Sequence, residues 1–107
     1  MPEYKIEFTS DAREGFAALD KSEKVIVTKQ LDKLKRAPEL GAPLGRRDDL
    51  DLTGYRKLYA ARKRVRIIYR IEAEVLVVTV VAIGPRENAL VYRIADATTK
   101  KRPRAAT

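Results

Sequence analysis

The chain has 107 residues, room for one domain, and its 23 Lys and Arg against 15 Asp and Glu give a formal charge of +8. Apolar residues make up 45 %, enough for a packed core, so general disorder is excluded. Cysteine and histidine are both absent, which removes disulfides, thiolate nucleophiles, Cys/His zinc sites and imidazole acid–base chemistry.

Tyr4 to Thr9 alternates apolar and polar residues with period two, the pattern of a half-buried strand. Ser10 or Asp11 then offers an N-cap, with Glu14 three residues after Asp11 completing a capping box. Ala12, Phe16 and Leu19 recur at helical spacing and predict a short first helix, broken at Asp20-Lys21-Ser22. A second helix is predicted from about Ser22 to Arg36, with Val27, Leu31 and Leu34 on one face, and Pro38 stops it. The two helices should form an antiparallel hairpin whose apolar face lies on a sheet.

Residues 37–54 hold two prolines and three glycines and read as a loop. Tyr55–Ala60 and Val65–Glu72 read as strands joined by Ala61-Arg62-Lys63-Arg64. Val75–Ile83 is almost wholly apolar and β-branched, so it should be a central strand buried on both faces, ended by Gly84-Pro85. Residues from Asn88 to about Ala97 predict a brief helix or an irregular element, and the tail 98–107 has no periodicity and should be mobile. The sum is an α+β two-layer domain over residues 1–97, β-α-α-β-β-β-α, with a largely antiparallel sheet and a basic tail at 98–107.

The charge is unevenly placed. Residues 55–70 carry seven positive groups and no negative one, and residues 100–107 carry four more. A charge run is ordinarily a solvated face, but a self-repelling cluster inside structured strands points to a polyanion. Residues two apart on a strand share a face, so Tyr55, Lys57 and Tyr59 fall together, as do Arg64, Arg66, Ile68 and Arg70. Val65, Ile67, Tyr69 and Ile71 form the opposite, apolar face. The predicted cationic face has the ingredients for RNA: guanidinium forks for phosphate and rings for splayed bases. Tyr59 and Tyr69 also fit as plain strand residues, whereas Arg56, Arg62, Lys63 and Arg64 fit solvated surface or phosphate contact equally well. Arg66, mid-strand among apolar residues, needs an anionic partner. Arg86 follows the central strand in a loop, with Glu87 beside it as a possible ion-pair partner.

Gly54-Tyr55-Arg56-Lys57-Leu58-Tyr59, Val65-Arg66-Ile67-Ile68-Tyr69-Arg70, Ile83-Gly84-Pro85-Arg86-Glu87 and Val91-Tyr92 follow one another around the apolar strand. In this order and spacing the chain resembles the RelE branch of the RelE/ParE toxins of bacterial type II toxin–antitoxin systems, over about residues 3–97. The resemblance implies a ribosome-dependent endoribonuclease that cuts mRNA in the decoding site. A ribose 2′-hydroxyl attacks the adjacent phosphate and leaves a 2′,3′-cyclic phosphate, a reaction that needs a base, cations and a proton source. It places Lys57, Arg66, Arg86 and Tyr92 on the catalytic positions. Lys57 would bind phosphate or help deprotonate the hydroxyl, Arg66 and Arg86 would stabilise charge, and Tyr92 would stack on or orient a base. Arg56, Tyr59, Arg62, Lys63 and Arg64 would bind RNA beside them.

The sequence departs from the family twice. Tyr59 stands where some RelE toxins carry a second basic residue, so either its hydroxyl contributes or Arg62 or Lys63 replaces the missing cation. Pro85 stiffens the loop before Arg86. The implied partners are a cognate antitoxin, the ribosome and mRNA, with no membrane and no direct DNA contact except through the antitoxin. The tail Lys100–Arg104 would add salt-dependent attraction to ribosomal RNA. No metal or cofactor is expected. Without a signal-peptide layout or an apolar run of membrane-span length, the expected location is the cytoplasm. The alternatives are a ParE-like inhibitor that binds DNA gyrase and a non-catalytic RNA-binding module.

Overall fold

A computed structural model describes residues 3–47, 50–85 and 90–101. Strand β1 (Lys5–Phe8) leads into helices α1 (Ser10–Ala17) and α2 (Lys21–Leu34). Three two-residue strands follow, β2 (Ala42–Pro43), β3 (Arg46–Arg47) and β4 (Leu50–Asp51), after a 3-10 turn at Pro38–Leu40. The long strands β5 (Tyr55–Ala60), β6 (Val65–Glu72) and β7 (Val77–Pro85) form a meander, and α3 (Leu90–Lys101) closes the fold. The main sheet has five strands in the order β1-β7-β6-β5-β2, and β3 and β4 pair separately. Only β1 runs parallel to its neighbour, β7; the other pairs are antiparallel. The α+β class and the helical hairpin on one face agree with the sequence.

Several local expectations are corrected. The N-cap of α1 is Thr9: its hydroxyl accepts from the Ala12 N–H at 3.2 Å and donates to the Val81 carbonyl at 3.2 Å. One residue thus starts the helix and ties it to β7, a bond to a distant strand that local spacing does not reveal. The capping box lies at α2, where Asp20 Oδ1 accepts from the Glu23 N–H at 2.8 Å and Glu23 Oε1 accepts from the Asp20 N–H at 3.3 Å. Asp20 is therefore the start signal of α2 as well as a break. The described residues of the 37–54 segment hold a 3-10 turn and short strands where the sequence predicts a loop, and two-residue strands are too short to show period-two alternation. Pro43 is accommodated because β2 is an edge strand.

Ala73–Val75 forms a 3-10 turn rather than the start of a strand, and Leu76 follows it in left-handed backbone at φ 56°. β7 then runs through Gly84-Pro85 instead of ending before them. β7 is interior, flanked by β1 and β6, but the middle strand of the five is β6. α3 continues through residues 98–101, which the sequence assigns to the tail. Val91, Tyr92 and Ala95 anchor its first turns in a buried cluster, and the favourable propensities of Ala and Lys allow an anchored helix to propagate. Residues 102–107 lie outside the described residues.

The core on the α1/α2 side gathers Ala12, Val27, Leu31 and Leu34 over Val65, Ile67, Tyr69, Val78, Val80 and Ile83. A Cβ at Gly15 would run into the Ile83 carbonyl, so glycine is what lets α1 pack directly on β7. Tyr69 is fully buried, donates to the Pro38 carbonyl at 2.7 Å and accepts from the Gly41 N–H at 2.8 Å. That pair of bonds fixes the 3-10 turn and β2 against the sheet.

Candidate active site

Strand pairing decides which side chains meet. Tyr59 lies opposite Arg66, Lys57 opposite Ile68 and Tyr55 opposite Arg70, so all six share the face turned away from α1 and α2. This is the register that the sequence suggested. The face is not an open concave surface, however. Tyr55 and Ile68 join Leu50, Leu52, Val81, Ala82, Val91, Tyr92 and Ala95 in a second apolar cluster, over which α3 and the β3–β4 pair lie. Enough apolar residues were present on this face to need a cover, and α3 supplies it.

At the margin of that cover, cations and rings alternate. Lys57 Nζ lies 5.1 Å from the Tyr59 ring centre, the Arg66 guanidinium lies 5.8 Å from the same ring, and it stacks 4.4 Å from the Tyr92 ring. Arg66 is only 9 % exposed, and its Nε is buried with no hydrogen-bond partner among the described residues. A guanidinium without an anion in such a place is costly unless something negative completes it. Partial burial pushes the Tyr59 phenol up, but the Arg66 and Lys57 cations beside it outweigh that effect and hold it below its ordinary 10.0. Arg70, further along the same face, has a carboxylate beside it: its Nε lies 3.4 Å from Glu72 Oε2, which also accepts from the Thr79 hydroxyl at 2.6 Å. The Nε and Nη1 of Arg70, like Arg66 Nε, are nevertheless buried without a hydrogen bond among the described residues.

The structure therefore brings Lys57, Arg66 and Tyr92 into one row, Lys57–Tyr59–Arg66–Tyr92, with Tyr59 between the two cations. Arg86, and Glu87 beside it, lie outside the described residues. Arg56 is turned to the other face, where it donates to the Gly41 carbonyl at 2.7 Å and the Glu39 carbonyl at 3.3 Å. Arg62, Lys63 and Arg64 are exposed on the β5–β6 turn, beyond the strand ends that carry the cluster. That turn holds Ala61, Arg62 and Lys63 in successive left-handed conformations at φ 53°, 57° and 69° without a glycine. The central position of Tyr59 was accessible to sequence reasoning through period two on β5 and its pairing with β6. The buried carboxylate Asp96, four residues beyond Tyr92 on α3, gave no signal because its helix was read as brief or irregular.

A cavity of about 370 Å³ lies at the α1 side of the β6–β7 end, lined by Gly15, Leu19, Val65, Ile83 and Ile94. Asp11, Glu14 and Glu23 border it together with Arg64. Its carboxylates make it the wrong place for a phosphodiester, and the cationic cluster is the better candidate.

The model of the ParE toxin of type II toxin–antitoxin systems matches residues 6–90 of this chain. A putative RelE-like toxin protein of Escherichia coli is 30 % identical over 96 residues, covering 87 % of this chain and 94 % of the relative. Among solved structures, the toxin–antitoxin complex RelBE2 of Mycobacterium tuberculosis is similar with a TM-score of 0.65 at 30 % identity, covering 78 % of this chain and 99 % of the other. An arginine-substituted variant of Escherichia coli RelE in the free state shares the fold with a TM-score of 0.71 at 22 % identity, covering 92 % and 97 % of the two chains. By sequence and fold together, the chain belongs to the RelE branch of the RelE/ParE toxins and is a toxin of a type II toxin–antitoxin system.

Proposed function

We propose that this toxin is a metal-independent endoribonuclease that cuts mRNA in the ribosomal decoding site, and that a cognate antitoxin neutralises it. The observation that carries the reading is Arg66, desolvated between two tyrosine rings with a buried Nε and no anion of the described chain bonded to it. A scissile phosphate would complete this site, and the charge that grows on its oxygens during in-line attack would meet Arg66 and Lys57. The Tyr92 ring holds the guanidinium from α3 and offers an edge on which a codon base can be oriented. Arg86 would add a further cation at the leaving-group side, and Arg62, Lys63 and Arg64 would bind flanking RNA. Sequestration by an antitoxin is supported by similar toxins solved as complexes, RelBE2 of Mycobacterium tuberculosis and RelBE of Escherichia coli.

Primer extension on a reporter mRNA in a reconstituted translation system tests the reading. Cuts within codons are expected only when ribosomes are present. Absence of cuts from folded protein would overturn it. One observation favours a second reading: the matching family model is that of ParE toxins. A gyrase inhibitor of that kind would leave the mRNA intact and block supercoiling by purified gyrase. It would use the cationic face for binding and would have no need of a desolvated arginine.

A further inference from the structure

Tyr59 sits between two cations, and its hydroxyl has chemistry that neither of them has. It lies on β5 between Lys57 of the same strand and Arg66 of β6, while α3 contributes Tyr92 on the far side of Arg66. The charged groups acting on its hydroxyl are Arg66 and Lys57, both positive. Among these four side chains, a charged lysine has no lone pair to accept a proton and an arginine does not release one at any working pH. Of the two phenols, Tyr59 has both Lys57 and Arg66 at its ring, whereas Tyr92 stacks on Arg66 from α3. Arg62 and Lys63, the other candidates to make good the missing base, are exposed on the turn beyond the end of β5.

We propose that Tyr59 is the proton acceptor of the cleavage step, a catalytic residue that takes the place of a second basic side chain; this rests on the mRNA-cleavage reading above. In the step, the phenolate oxygen of Tyr59 takes the proton of the ribose 2′-hydroxyl as that oxygen forms its bond to phosphorus. The bond from phosphorus to the 5′ oxygen breaks, and its electron pair leaves on that oxygen, which takes a proton from solvent. The products are a 2′,3′-cyclic phosphate and a free 5′-hydroxyl. Tyr59 then returns its proton to solvent and the enzyme is unchanged. Arg66 and Lys57 serve twice, favouring the phenolate before attack and the phosphorane charge during it. The lowered phenol is consistent with this, because a base nearer the working pH is populated more often.

The test is single-turnover cleavage on ribosomes programmed with a defined codon, followed across pH for the parent, Tyr59→Phe and a protein carrying 3-fluorotyrosine at position 59. Tyr59→Phe is expected to slow cleavage by roughly 10²- to 10⁴-fold, with ribosome binding and Tm close to the parent's. The parent rate should rise with pH, and fluorine, which acidifies the phenol, should move that rise to lower pH. The fluorinated ring keeps the shape and hydroxyl of tyrosine, so it probes the chemistry even where removal of the hydroxyl disturbs folding. A Tyr59→Phe variant that cuts at the parent's rate overturns the proposal and leaves the mRNA-cleavage reading intact. A slow Tyr59→Phe variant with an unmoved fluorotyrosine profile also overturns it, because Tyr59 would then only position Arg66. A parent that never cuts on ribosomes removes the mRNA-cleavage reading, and the proposal with it.

Discussion

On the α1/α2 side of the sheet, β6 presents Val65, Ile67 and Tyr69, all buried beneath Val27, Leu31 and Leu34. On the α3 side the same strand presents Arg66, Ile68 and Arg70, and only Ile68 is there as plain core. On the first side the Tyr69 hydroxyl donates to one backbone group and accepts from another, and Arg56 donates to two carbonyls. On the second, the Arg66 Nε is buried without a hydrogen bond. The groups named on the first face have partners in the chain itself, and Arg70 on the second has Glu72 beside it, whereas Arg66 is left for something anionic to complete. That difference in a single strand separates what holds the fold from what the fold holds ready.

The sharpest way to break the comparison is to remove one residue from each face. Arg66→Ala should lower ribosome-dependent cleavage by about 10²- to 10³-fold, as loss of an oriented charge stabiliser does. Its Tm should move little, because the stacking lost and the desolvation relieved oppose one another. Leu34→Ala, fully buried on the other face, should instead cost about 2–5 kcal/mol in urea unfolding and leave the rate per folded molecule unchanged. If Arg66→Ala unfolds the protein and retains activity when rescued by low temperature, the division of labour is wrong.

A smaller effect sharpens the satisfied side. Tyr69→Phe keeps the ring but strands the Pro38 carbonyl and the Gly41 N–H, which should cost about 1–3 kcal/mol. Hydrogen exchange should localise the loss to the Pro38–Pro43 segment, and the cleavage rate should follow the folded fraction alone. An equal loss of protection on α3 would show that the two faces are not energetically separate.

Much of this was readable before any coordinates. Period-two patterns in β5 and β6 placed Lys57, Tyr59 and Arg66 on one side, and Val27, Leu31 and Leu34 marked the face of α2 that seeks the sheet. The missing parts share a cause, namely that they are made by contacts distant in sequence. Thr9 caps α1 with a hydroxyl that also donates to Val81, and α3 persists through residues 98–101 because its first turns are buried against β4, β6 and β7. The cover over the cationic face was invisible for the same reason. Only when Tyr55 and Ile68 are placed beside Val81 and Ala82 does the need for it appear. The stacking of Tyr92 on Arg66 is likewise a product of that packing, and no spacing rule gives its 4.4 Å.

The β5–β6 turn, which joins the strands that carry the site, offers a smaller test again. Ala61, Arg62 and Lys63 stand at positive φ, where a Cβ is penalised and glycine is not. Lys63→Gly should raise stability by about 0.5–1 kcal/mol, as relief of left-handed strain exceeds the entropy that glycine adds to the unfolded chain. If the exposed turn binds RNA, the same variant should weaken ribosome binding at low salt and lose that difference as salt rises. A stabilised variant with unaltered binding at every salt would reduce the turn to a connector and confine the functional charge to the covered face.

The smallest effect expected lies at the start of α2. The Asp20 carboxylate accepts from the Glu23 N–H and from the Ser22 hydroxyl, which holds it below the ordinary carboxylate value of 3.8. A group depressed in the folded state contributes its stability above its unfolded pKa and loses it as pH falls through the folded one. The parent should therefore lose a little stability as pH drops from about 5 through the carboxylate range, over and above what its other acids lose. Asp20→Asn preserves an N-cap acceptor while removing the titration. The two proteins should have similar unfolding midpoints at neutral pH, with the variant declining less steeply in acid. Arg64 of the β5–β6 turn acts on Asp20, but Lys57, Tyr59 and Arg66 lie on the opposite face of the sheet, so the cleavage profile of the variant at neutral and alkaline pH should overlay the parent's. Parallel acid limbs would mean that ionisation of Asp20 adds nothing differential to folding, either by charge or by hydrogen bond. A displaced cleavage profile would mean that α2 communicates with the cationic face through the sheet that otherwise separates them.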